Sequence, residues 1–271
     1  MNTLDSIILP SQQYRKRMTT ATLIIIVVVG VCIYLGFDPL LLFTEFHYVR
    51  ALIDDMLPPN FSLLWTNKMI GYSILQTMGM AFLGTLIGGV LAIVLAFLSA
   101  SNTTPSPALS LIIRTLLSIE RVIPNLIIVL VFVIAVGLGA FAGMLTLVLG
   151  TVGIFGKLFA ETIENIDLGP AESIDAVGAT RLQVIRYAII PQVMPSMIAG
   201  VLYAFDINMR AAIGLGIFGG GGIGFELHMA MRMLRYQDAL PLILFTIVLV
   251  IAVEKISDAL RKRLLGEGKL K

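Results

Sequence analysis

The sequence predicts an all-α polytopic membrane protein with six transmembrane helices and both termini in the cytoplasm. Three observations predict it. Of 271 residues, 58% are AVILMFWYC and 13% are DEKR, against a charged fraction of about 25% in soluble domains. The mean hydropathy of +0.95 is spread over several uncharged runs, so most of the chain requires an apolar solvent. Lys and Arg fall unequally on alternate connections, which sets the orientation.

Met18–Phe37 is an uncharged run behind Arg15, Lys16 and Arg17, and at about 1.5 Å per residue it spans about 30 Å. A signal peptide is the alternative. Length, Val/Ile richness and the lack of a small-residue cleavage pattern before Phe37 favour a retained helix. Residues 38–68, with Glu45, Asp54, Asp55, Pro58 and Pro59, read as an outer excursion with Trp65 as an interfacial aromatic. Met69–Ala100 is the second span, and Ser101–Pro107 (SNTTPSP) is turn chemistry. The third span runs from about Leu109 to Val136, and Gly137–Gly143 turns into a fourth that ends near Lys157. Glu161–Arg186 is a long polar stretch, followed by a fifth span over Tyr187–Ile213 and a sixth over Ala239–Ile256.

With the N-terminus inside, thirteen Lys and Arg fall on the cytoplasmic side, and Arg50, Lys68, Arg232 and Arg235 fall outside. Arg121 and Arg210 remain at membrane depth. A net charge of +2 without a long basic block leaves no footprint for nucleic acid. The lone Cys32 excludes an intrachain disulfide, and His47 and His228 lack the spacing of a zinc site. No G-x-x-x-x-G-K-[ST] occurs, so the chain does not cradle ATP itself.

Glu161–Pro195 reads as two short cytoplasmic helices joined by a sharp bend. Gly169-Pro170 opens the first, with Glu172 in the turn where the helix dipole favours a carboxylate. Gly178 supplies the left-handed residue that ends it. Thr180 and Gln183 have capping-box spacing for the second, which runs into Pro191. On the residues alone an ordinary amphipathic loop stands beside a docking element. A DNA-binding helix-turn-helix has the geometry but fails on its acidic charge.

Glu172, Gly178 and Pro191 resemble the "EAA" signature of permease subunits of bacterial ABC importers, with Glu172-Ser173-Ile174 standing where the pattern has Glu-Ala-Ala. A narrower resemblance covers about half the chain. Ala135–Gly143, Gly156-Lys157-Leu158, Gly169-Pro170, Pro191–Pro195 and Gly219–Gly224 are similar in order and spacing to phosphonate/phosphite importer permeases of the PhnE type. A family Arg near Tyr203 is replaced by Ala204, and a family Glu by Asp206.

The resemblance implies a type I ABC importer permease fold in the bacterial inner membrane. It also implies a homodimer working with two ATP-binding subunits, which carry ATP and Mg, and with an extracytoplasmic substrate-binding protein. The chain itself then binds no cofactor and is no enzyme. Glu172, Ser173, Ile174, Asp175, Ala176, Gly178, Ala179, Thr180 and Pro191 become the ATPase-coupling residues. The organisation is a cytoplasmic segment 1–17, a first helix and outer loop 18–68, a permease domain 69–260 with coupling segment 161–190, and a cytoplasmic tail 261–271.

Two sites lie at membrane depth, where ionisable residues face a bundle interior, a water-filled cavity or one another rather than lipid. Asp206 and Arg210, four apart, pair along one helix face. They act either as a buried structural pair or as a guide for an oxyanion. Arg121 and Asn125 flank Pro124, whose freed backbone groups Asn125 can satisfy. They form a structural kink or line the pathway. Gly214–Gly219 matches G-x-G-x-x-G, but it follows a membrane helix and not a strand. Gly219, Gly220, Gly221, Gly222 and Gly224 instead permit close backbone approach at an outer gate, or form a flexible loop.

The function expected is the permease of an ATP-driven importer for phosphonate, phosphite or phosphate. A stand-alone secondary transporter or channel for a small anion is the alternative, although the inverted repeats expected there are not evident. An intramembrane hydrolase lacks a Ser–His pair at membrane depth.

Overall fold

The computed structural model describes residues 11–38 and 40–265, and the described residues divide after Asp55 into two compact units. The first holds α1 (Ser11–Tyr34), α2 (Leu41–Thr44) and most of α3 (Phe46–Met56). The outer excursion is therefore partly helical. In α3, Phe46, Val49, Leu52, Ile53 and Met56 recur at helical spacing on one side, opposite His47, Arg50 and Asp54.

The second unit contains α4 (Leu63–Thr66), α5 (Lys68–Ser99), α6 (Pro107–Val122), α7 (Asn125–Val136), α8 (Ala140–Glu164), α9 (Gly169–Ala176), α10 (Arg181–Val184), α11 (Ile190–Leu215), α12 (Gly222–Arg232) and α13 (Tyr236–Leu265). Five stretches of helix are long and apolar enough to cross a membrane, and α6 with α7 supplies a sixth as a bent pair. No strand occurs among the described residues.

The third span is not one straight helix. Between α6 and α7 the chain turns by 93°, because Pro124 lacks an N–H and its ring clashes with the preceding turn, and Ile123 is extended before it (φ −85°, ψ 118°). The fourth helix continues to Glu164, past the end expected near Lys157. The fifth span starts earlier than expected. Helix runs from Arg181 to Leu215, with a wide π-type turn at Ile185–Ile189 just ahead of Pro191, and breaks at Phe218 and Gly219. Gln192 Nε2 ties that turn down, donating to Ala188 O (2.9 Å) and to Asp167 O (3.2 Å).

Small residues explain the packing. A Cβ at Gly84 or Gly88 of α5 would lie 2.7 Å from the Cβ of Leu147 or Thr151 on α8. The two backbones therefore approach as in small-xxx-small membrane pairs. On α8 itself Gly150, Gly153 and Gly156 seat Asn125, Glu120 and Leu117 of the bent pair. Phe155, Phe159, Ile163, Val193 and Met197 fill the core between α8 and α11.

Hydrogen bonds define the two ends of the bundle. Asn102 Nδ2 donates to Ile163 O (2.6 Å) and Arg181 to Thr104 O, which gathers the 99–107 turn and the segment after α8 at one end. Gly139 N donates to Gly219 O (2.8 Å) and Asn60 Nδ2 to Asp238 Oδ1 (2.8 Å) at the other. Such an alternation is what successive membrane crossings require.

Candidate functional site

The segment between α8 and α11 projects from one end of the bundle. Asp167 Oδ1 accepts from Gly169 N (3.0 Å), Ser173 Oγ donates to Gly169 O (2.8 Å), and Glu172 lies in the first turn of α9. Gly178 has φ +85°, so it reverses the chain where a side chain would be strained. Thr180 N–H donates to Gln183 Oε1 (2.7 Å), the expected half of the capping box. Ile174 and Ala179 are half-buried, Glu172, Ser173, Asp175, Ala176, Gly178, Thr180 and Pro191 are exposed, and no residue of α9 is buried.

Two further residues belong to this surface. Val177 is 83% exposed and Leu182 78% exposed, on either side of the Gly178 reversal. Their signal in the sequence was an apolar side chain beside each end of a polar bend, which charge-based reading passes over.

The SNTTPSP turn is a strut between this segment and the bundle. Ser101 N donates to Glu164 Oε1 (2.6 Å), Arg114 pairs with the same carboxylate, and Arg114 Nε donates to Ser99 O (3.0 Å). With Arg181 held on Thr104 O, the α9–α10 segment is linked to α5, α6 and α8 through one short connection.

At membrane depth Arg210 pairs with Asp206 at the expected i,i+4 spacing (2.5 Å). It also reaches Glu254 of α13 at 3.4 Å, a partner the sequence did not reveal. Asp206 is 7% exposed, and its Oδ1 has no hydrogen-bond partner among the described residues. Two carboxylates thus compensate one guanidinium. Asn208, two residues from each of these charges and so on the other side of the helix, donates to Thr85 Oγ1 (2.8 Å) and Thr151 Oγ1 (2.7 Å), pinning α11 to α5 and α8. Hydropathy and charge do not single out this neutral trio.

Arg121 ends α6 at the bend, exposed and without a carboxylate within 4 Å among the described residues. Its neighbour Glu120 turns the other way, onto Gly153. Asn125 rests against Gly150, where a Cβ would meet its Oδ1 at 3.0 Å. Among the described residues its amide makes no hydrogen bond, so it does not satisfy the groups that Pro124 frees.

The glycine segment is an ordered, close-packed re-entrant turn. Gly219, Gly221 and Gly222 have φ of +90°, +76° and +74°. Ile223 N donates to Thr77 Oγ1 (2.8 Å), and a Cβ on Gly221 would lie 2.8 Å from Ala140 N. Gly224 packs on the Ile213 carbonyl and Gly143 on that of Gly220. Gly222→Ala is expected to destabilise by about 2–4 kcal/mol, combining backbone strain with overlap on Thr77. The check is a lowered thermal midpoint in detergent, with Gly214→Ala, whose Cβ meets nothing within 4 Å, unchanged.

Residues 88–265 match the family model described as binding-protein-dependent transport system inner membrane component. The chain is 38% identical to the phosphite transport system permease protein PtxC of Stutzerimonas stutzeri, over 87% of this chain and 85% of that protein. It is 37% identical to the phosphate-import permease protein PhnE of Mycolicibacterium smegmatis, over 87% of this chain and 44% of that longer protein. In fold it is similar to a chain of a bacterial ABC transporter involved in the import of the acidic polysaccharide alginate. There the TM-score is 0.65 at 16% identity, covering 93% of this chain and 99% of the other.

Proposed function

This chain belongs to the family of binding-protein-dependent transport system inner membrane components, and from that premise we propose that it forms the membrane pathway of an ATP-driven importer for a phosphorus oxyanion. Phosphonate, phosphite and phosphate are the candidate cargoes. The observation that carries the reading is the exposed α9–α10 segment, which presents Glu172, Val177 and Leu182 away from the bundle. A surface so organised and so unburied is built for a partner, and a chain without a phosphate-binding loop needs a partner that supplies ATP hydrolysis.

Two copies of the chain, two ATP-binding subunits holding ATP and Mg, and an extracytoplasmic binding protein complete the machine. Both termini and the α9–α10 segment face the cytoplasm, as the Lys and Arg excess requires. Closure of the ATPase subunits pushes the segment. Arg181, Asn102 and the Arg114–Glu164 pair pass the displacement to α5, α6 and α8. Moving the bundle from about 1:99 to 99:1 between inward- and outward-facing states takes about 5.5 kcal/mol of differential ATP binding.

Arg121 supplies the uncompensated positive charge of the pathway, with Asn125 beside it at the bend. Asp206 and Arg210 hold the pathway wall together with Glu254, and the Gly219–Gly224 turn forms the outer gate. The experiment is uptake of labelled phosphite, phosphate, methylphosphonate and sulfate by cells carrying the complete system. Uptake of a phosphorus oxyanion, blocked by the others and not by sulfate, is expected. Arg121→Ala should raise KM about tenfold or more, the loss of one charge-assisted contact. An unchanged KM would remove Arg121 from the pathway.

A further inference from the structure

An apolar groove of about 210 Å³ opens on the bundle surface between α5, α11 and α13. Phe82, Leu86, Val201, Phe205, Ile256 and Leu260 line it, and Thr85 and Ser257 form its polar floor. Phe82 and Phe205 meet edge to face across it, with ring centroids 6.3 Å apart. Directly after its last lining residue, Leu260, stands Arg261, whose guanidinium lies over the Tyr203 ring, 6.0 Å from the centroid, and pairs with Asp258. Arg261 therefore bridges α13 to α11 and forms a lip on the groove. Lys262 and Arg263 follow it, both exposed, and Lys255 lies less than two turns before. The lip is basic, and on the orientation set by Lys and Arg it faces the inner leaflet.

The geometry points to a binding site for an acidic phospholipid, its acyl chain in the groove and its headgroup phosphate on Arg261 and Lys262. Charge decides between the possible occupants. A second copy docked about a two-fold axis brings the same basic lip against itself. The first span carries Arg15, Lys16 and Arg17 at its own cytoplasmic end, again the wrong sign. Anionic headgroups of the inner leaflet have the complementary sign, and basic pockets between helices on this face take them. Stacking on Tyr203 holds Arg261 at the mouth of the groove, so the headgroup site is preformed and not merely a flexible tail charge.

The test reads the phospholipid retained by the full chain after purification from membranes and exchange into nanodiscs containing equal phosphatidylglycerol and phosphatidylcholine. Retained phosphatidylglycerol is expected in excess over phosphatidylcholine. Arg261→Ala and Lys262→Ala should each lower that excess about fivefold. Leu260→Trp, which fills the groove from an exposed position and leaves the basic lip intact, should displace the lipid as well. Equal retention of the two lipids, or retention that neither kind of variant changes, overturns the proposal. A disulfide between copies formed by Ile256→Cys in a Cys32→Ser background overturns it in favour of a second copy. Because the readout is bound lipid, its failure leaves transport untouched and is separable from failure of the importer reading.

Discussion

Val177→Asp is expected to leave the bundle folded and to abolish ATP-driven uptake. The side chain is 83% exposed and holds nothing in this chain, so the thermal midpoint should move little, as for surface substitutions generally. Against an ATPase cleft the same change removes apolar burial worth about 1.5–3 kcal/mol and introduces an unpaired carboxylate. A loss above about 2 kcal/mol at such an anchor weakens docking about 30-fold or more. Leu182→Asp should behave alike, whereas Asp175→Asn, also exposed, should cost far less because it removes no apolar area. Co-purification of the ATPase subunit with the permease is the direct readout. Undiminished co-purification of Val177→Asp would place the docking surface elsewhere.

Arg210→Met is expected to destabilise the bundle by about 3 kcal/mol, because it strands Asp206 at 7% exposure with neither oxygen paired. The Glu254 contact adds to this by tying α11 to α13. If the arginine serves structure, Asp206→Asn combined with Arg210→Met should recover most of the lost thermal midpoint and also recover uptake. If it guides the anion, stability returns and uptake does not. The compensation of one guanidinium by two carboxylates favours the first outcome, which is why the pathway charge is assigned to Arg121.

The parts legible in the sequence are those with local causes. Uncharged runs separate spans from connections because hydrocarbon tolerates little else. Gly178 and the Thr180–Gln183 cap announce the bend between α9 and α10 because each acts within a few residues. The break in the third span is half legible, since Pro124 marks it, but the apolar run continues through it and hydropathy draws one helix. What stayed hidden is long-range. Asn208 meets Thr85 123 positions away and Thr151 57 away, and Glu254 reaches Arg210 across 44. The glycines of α8 read as mere composition in the sequence, whereas in the fold Leu117, Glu120 and Asn125 are seated on them. Val177 and Leu182 are hidden for a different reason: in a chain that is 58% apolar, an apolar residue carries meaning only once its exposure is known.

In the proposed reading this chain is a pathway driven by a separate ATPase. That role is tested most directly by uptake of labelled phosphite, phosphate or methylphosphonate into vesicles reconstituted with the permease, its ATPase subunit and the binding protein, with ATP sealed on the ATPase side. Uptake is expected to require all three proteins and ATP together and to be eliminated by Val177→Asp. Uptake by the permease alone, indifferent to ATP, would contradict it.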